Sequence, residues 1–295
     1  YRPARFRTPE ALSASLEEGL RRKGRVGLLG TAVSDHPQLA EMCRKTLEAG
    51  GTFSIGSLRI DRMSGELAGL LADSGVEMVS LAPEAGSQRL RDVIRKGVTE
   101  EQIFRAAERL IEKGIVNLRL YFMVGLPTEE EEDVDSIVEL TRRIGHHAVK
   151  TTKGTRRFRR ITLSVNQFIP KPATPFQWLP LADAALVRRR IQKIKRALGK
   201  ERSVSVIHDL PKWNYVQALL SLGDRRAGDI LLAVHANGGN WPQALKQVNV
   251  NADFYVYRGK DPGEFLPWDF IDHGVSREFL LEECRKAMET AAARR

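Results

Sequence analysis

Short apolar runs recurring between amphipathic stretches constrain this chain most. Residues 26–30, 53–60, 76–81, 116–124 and 161–168 each read as a strand, and a run that is apolar on both faces suits a buried parallel strand. The intervals read as helices. Thr8 and Pro9 open one over 8–23, with an N-cap hydroxyl followed by proline at the first helical position. Others are expected over 37–49, 64–74 and 129–143, and after Ser87. Thr99-Glu100-Glu101-Gln102 is a capping box opening a further helix to Lys113. Strands alternating with helices mean crossover-connected parallel strands, in a barrel or a doubly wound sheet. In both, ligands bind beyond the carboxyl ends of the strands. After residue 180 the pattern changes: a basic helix over 181–198, one more strand over 204–207, then helices over 213–222 and 225–236. Two units are expected, a strand-rich one over 1–180 and a smaller, mainly helical one over 181–295.

Composition excludes several classes. No run reaches the roughly 18 apolar residues of a membrane span, and no apolar leader core is present. Two cysteines, Cys43 and Cys284, cannot form a disulfide scaffold or a multi-cysteine metal site; a reducing, cytoplasmic setting is expected. His146 and His147 lack further ligands at metal spacing. The 47 Lys and Arg exceed the 37 Asp and Glu, for a net charge of +10. This excess concentrates in 142–160 and 188–202, read either as solvated faces or as contacts to nucleic acid or an acidic partner.

The residues beyond each strand are the candidate site. Asp35 and His36 follow the first strand and form a candidate general acid–base pair, the alternative being a helix cap and a surface histidine. Arg59 lies within the expected second strand, where it needs a partner or a ligand. Glu84 follows the third, before Ala85-Gly86-Ser87. It is expected to accept from a ligand amino or hydroxyl group, or to pair with Arg59 or Arg89. Gly125-Leu126-Pro127 ends the fourth strand, and Glu129 to Glu132 suit the next helix N-terminus. The fifth strand ends at Phe168, which covers a ligand ring or fills core, before Pro170 and Pro172.

Three of these segments carry a resemblance. Residues 81–90, Leu-Ala-Pro-Glu-Ala-Gly-Ser-Gln-Arg-Leu, continue to Lys96-Gly97-Val98-Thr99. Residues 121–129 read Tyr-Phe-Met-Val-Gly-Leu-Pro-Thr-Glu, and 165–176 contain Phe168, Pro170, Pro172 and Thr174-Pro175-Phe176. Together they resemble the radical S-adenosylmethionine superfamily, closest to the branch that carries an upstream cobalamin-binding domain. Residues 223–226 and 266–272 are similar to C-terminal segments of the same branch.

The resemblance implies a partial six-stranded (β/α) barrel with a mainly helical C-terminal appendage. It also implies S-adenosylmethionine, a [4Fe–4S] cluster on a C-x3-C-x2-C loop, an electron donor, an unknown substrate and, through the branch, cobalamin. Arg59, Glu84, Gly86, Ser87 and Lys96 would then serve the cofactor, with Glu84, Ser87 and Arg59 at its methionine or ribose part. Gly125, Leu126 and Phe168 would line the adenine. The chain lacks the cluster motif. Because Tyr1-Arg2-Pro3 resembles the segment that follows that loop in the family, the first strand and cluster loop are expected just before Tyr1. The competing reading is a cluster-less barrel that binds RNA or an acidic partner.

Overall fold

The computed structural model describes residues 5–30, 33–56, 58–152 and 158–293. The chain runs α1 (Pro9–Lys23), β1 (Arg25–Leu28), α2 (Leu39–Glu48), β2 (Thr52–Ile55), α3 (Gly65–Asp73), β3 (Met78–Glu84), α4 (Gln88–Val93), α5 (Glu100–Glu112) and β4 (Asn117–Val124). It continues with α6 (Glu131–Thr151), β5 (Arg160–Gln167), α7 (Ala184–Leu198), β6 (Val204–Ile207), α8 (Pro211–Leu222), α9 (Ala227–Ala236), α10 (Trp241–Gln247), α11 (Ala252–Val256) and α12 (Arg277–Ala293). The expected local signals act as read. Thr8 Oγ1 accepts from Ala11 N, Ser64 and Ser87 cap α3 and α4, and the Thr99–Gln102 capping box opens α5.

The fold is α/β with every described strand pair parallel. β1 and β2 form one sheet, and β3-β4-β5-β6 form another in that order. β4 alternates in burial rather than being buried on both faces. Leu118, Leu120, Phe122 and Val124 share one core with residues of α3, α5, α6 and α7, while Asn117, Arg119, Tyr121 and Met123 on the opposite face are half-buried. The core continues past residue 180, where the sequence suggests a boundary. Val187, Ile191, Ile194 and Leu198 of α7 belong to it, and β6 extends the main sheet. Separate apolar clusters gather α8, α9, α10 and α11 around Leu219 and Ile230, and Trp178, Leu266 and Trp268 against Leu280 of α12.

The tail segments singled out in the sequence resolve into packing. Asp224 pairs with Arg226 and accepts from Tyr255 Oη at 3.0 Å. Trp268 Nε1 donates to Gln177 Oε1 at 2.6 Å, and Asp269 pairs with Arg277.

Candidate functional site

Beyond β2 the chain bends into a short 3-10 turn, Ile60–Arg62, preceded by Arg59. This corrects the expectation that Arg59 lies inside a strand: β2 stops at Ile55. Half-exposed, its guanidinium grips Asp61 with two hydrogen bonds, Nε–Oδ1 at 3.0 Å and Nη2–Oδ2 at 2.8 Å. That bond holds the Asp61 carboxyl below its usual range. A second turn, Val33–Asp35, follows β1, and Ser34 Oγ accepts from Arg59 N at 2.9 Å. With Ala82, Lys96 and Val98 these residues line a cavity of about 220 Å³ at the carboxyl ends of β2 and β3.

The expected acid–base pair is not assembled. Asp35 Oδ1 faces Arg59 Nε at 3.4 Å and Arg62 Nε at 3.6 Å. His36 Nδ1 instead accepts from Gln38 N at 3.1 Å, and its ring meets Phe6 edge-on. Both side chains are turned to separate partners by the tight turn before α2.

Glu84 ends β3 in the left-handed region, at φ 67°, a conformation that costs a non-glycine residue about 1–3 kcal/mol unless its surroundings impose it. Its Oε1 accepts from Lys96 Nζ at 3.1 Å, and the two side chains stay 26% and 28% exposed. Thus Arg59, Lys96 and Glu84 converge on one rim, and the pair expected for Glu84 is with Lys96 rather than Arg59 or Arg89. The other described non-glycine residues with positive φ are Arg95, beside Lys96, and Thr128 and Ala173, in the loops after β4 and β5.

What imposes that conformation was not legible in the sequence. Arg91 is the largest fully buried side chain; its Nη1 donates to Ala85 O at 2.9 Å and Gly86 O at 2.8 Å. A Cβ on Gly86 would meet Ile137 N at 2.3 Å and Asp133 O at 2.7 Å. Gly86 is therefore held close to the backbone of α6, where there is no room for a Cβ. Ser87 Oγ caps α4 through Leu90 N at 3.1 Å and donates to Asp133 Oδ1 at 2.5 Å. Arg89, expected as a partner of Glu84, pairs with Asp133 instead.

Past β4, Gly125 adopts φ 77°, and a Cβ there would meet Ala182 Cβ at 2.8 Å. Its N–H donates to Glu129 Oε2 at 2.7 Å. Glu129 does more than serve a helix N-terminus. Its side chain is 1% exposed, and the same oxygen accepts from Arg190 Nη1 at 2.5 Å. Burial pushes this carboxyl up, to about 7, against the pull of Gly125 N–H and Arg190. The helix cap is Glu130, in a capping box with Asp133. Leu126, Met123 and Phe168 join Ala85 and Leu90 in an apolar cluster at the ends of β3, β4 and β5. Phe168 meets Phe176 edge-on at 5.8 Å.

Part of the basic excess is paired with acids of the same chain. In 188–202, Arg190 is buried on Glu129 and Lys193 pairs with Glu131 and Asp135. In 142–160, Arg142 pairs with Glu201, Arg143 with Glu100 and Arg159 with Glu77. Lys153, Arg156 and Arg157 of that stretch, and Tyr1-Arg2-Pro3, lie outside the described residues.

The residues present do not fit an iron–sulfur cluster. Cys43 is in the core of α2, where burial pushes its thiol up to about 12, and Cys284 is half-buried on α12. Among the described residues no three His, Cys, Asp or Glu side chains gather as metal ligands. No helix among them is long and apolar enough to cross a membrane.

The family model described as the radical SAM superfamily matches residues 1–141. An uncharacterized protein of Methanocaldococcus jannaschii is 31% identical over 265 residues, which are 89% of this chain and 56% of that protein. The chain therefore spans little more than half the length of this relative. The matched region, a little under half of the chain, holds the Arg59–Glu84–Lys96 rim and all of β1 to β4, and it is this region that is similar to the radical SAM superfamily.

Proposed function

We propose that this chain is the S-adenosylmethionine-binding part of a radical enzyme. The two sheets read as an open barrel, with helices on one face and half-buried polar residues on the other. One observation carries the reading: a strained Glu84–Lys96 pair, about a quarter exposed, beside Arg59 at the carboxyl ends of parallel strands. A zwitterionic amino-acid group needs an acceptor for its ammonium and a donor for its carboxylate, and Glu84 and Lys96 offer both within one contact. Arg59 offers a second cation. The apolar cluster of Leu126, Met123 and Phe168 suits a purine ring. Ser87 acts at one remove, by fixing the loop after Glu84 to α6.

S-adenosylmethionine held at this rim would supply radical chemistry to a substrate once a cluster bound elsewhere reduced it. This chain's own residues bind and orient the cofactor and shield it from water. Ligands for the cluster would have to come from residues other than the two cysteines of this sequence. A cobalamin domain and a protein electron donor are further elements of this proposal, as is the cytoplasm as its setting. Calorimetry on the full-length protein tests the rim. Glu84→Gln is expected to weaken S-adenosylmethionine binding about tenfold, the scale of one charge-assisted hydrogen bond. Unchanged affinity removes Glu84 from the site.

RNA or an acidic partner is the second reading, favoured only by the exposed part of the basic stretches. It predicts binding that falls steeply between about 50 and 200 mM salt.

A further inference from the structure

The face of the main sheet turned away from the helical core carries a row of polar side chains in strict register. Ser80 of β3 pairs with Arg119 of β4, Arg119 with Thr162 of β5, and Thr162 with Ser205 of β6. Ser205 Oγ donates to Thr162 Oγ1 at 3.3 Å. In the smaller sheet Gly27 and Ser54 are paired likewise, on the face opposite Phe53. One arginine is thus set among small and hydroxyl-bearing residues.

Arg119 is only partly exposed, and its Nε is buried with no hydrogen-bond partner. Among the described residues no carboxylate pairs with it, in contrast to Arg89 and Arg190. Arg160, one row further from the rim, is the other charged strand residue described on this face of the main sheet; Glu84 lies past a register shift, opposite Phe122 of the core face, and is already answered by Lys96. A guanidinium withdrawn from water without an anion is costly, and its planar fork matches a carboxylate or phosphate. We propose that Arg119, with the hydroxyls of Ser80 and Thr162 beside it, binds an anionic group of the substrate, a carboxylate or a phosphoryl group. This deepens the reading of the rim and rests on it for the word substrate. Arg119 lies three residues before Phe122, the register partner of Glu84, about 10 Å along the strand at roughly 3.3 Å per residue. A molecule that reaches from Arg119 to the rim spans that distance.

The test uses the full-length protein as wild type, Arg119→Met and Arg119→Lys. Thermal unfolding is followed with inorganic phosphate or acetate, each against chloride at equal ionic strength. Either anion is expected to raise the wild-type midpoint. Arg119→Lys, which keeps the charge without the fork, should bind the anion about tenfold more weakly, and Arg119→Met should show no response. Without anion, Arg119→Met should unfold at or above the wild-type temperature, because it removes an unpaired, half-buried charge. A response to phosphate alone assigns a phosphoryl group, and a response to acetate alone assigns a carboxylate. A full response in Arg119→Met, no response in wild type, or a Met variant that unfolds well below wild type overturns the proposal. Calorimetry with S-adenosylmethionine on the same proteins separates the two readings. If wild type fails to bind it while the Arg119-dependent anion response persists, the rim reading falls and the anion site stands.

Discussion

The ends of β3 and β4 are built from the same parts and put to opposite use. Each carries a carboxylate beside a residue in the left-handed region, and each carboxylate meets a cation from later in the chain. At β4, Glu129 and Arg190 are 1% and 8% exposed, and Gly125 N–H closes the arrangement. At β3, Glu84 and Lys96 keep about a quarter of their surface open, beside a cavity. A sealed pair locks α7 onto the strand end. An open pair can exchange its partner for a ligand at little cost, because an exposed ion pair is worth only about 0–1 kcal/mol. Identical chemistry is therefore sealed at one strand end and left open at the next, and burial makes the difference.

The comparison can be broken most easily at the sealed end. Arg190→Met leaves Glu129 buried and uncompensated, with an expected loss of about 3–5 kcal/mol in urea unfolding at pH 8. The loss should shrink at pH 5, where Glu129 takes up a proton instead. A loss no larger than that of an exposed arginine would show that the pair is not sealed. Gly86→Ala comes next, at about 1–3 kcal/mol, because its Cβ collides with the backbone of α6. Full stability in this variant would show that there is room for a Cβ after all. Glu129→Gln sharpens the contrast through pH. The folded state holds the Glu129 proton more tightly than the unfolded chain, so wild-type stability should fall relative to the variant as pH rises from 4.5 to about 7. Parallel pH profiles would show that Arg190 outweighs burial. The smallest effect belongs to the open end: Glu84→Gln should change stability by less than about 1 kcal/mol while weakening the cofactor.

Local structure was widely legible. Thr8, Ser64, Ser87 and the Thr99–Gln102 box announce helix starts because a cap needs only a few neighbouring residues. The parallel α/β class follows from the alternation of apolar runs and helices. Glu84 could be named as a candidate from its place after a strand, Arg59 as a charge expected inside one and Lys96 through the resemblance, yet the partner of each could not. Arg91 and Arg190 gave no usable signal, since a buried arginine and a surface arginine look alike in a basic stretch.

By itself, then, the sequence determined where helices begin, that the strands are parallel, and which superfamily the motifs resemble. These rest on short-range capping, periodicity and local motifs. Only the tertiary structure decided that Asp35 and His36 part company, that Gly86 sits against α6, and that Glu129 is sealed while Glu84 is open. It alone lined up Ser80, Arg119, Thr162 and Ser205 across four strands. Register and burial join residues tens of positions apart, and charge acquires its meaning from the water and partners that remain around it.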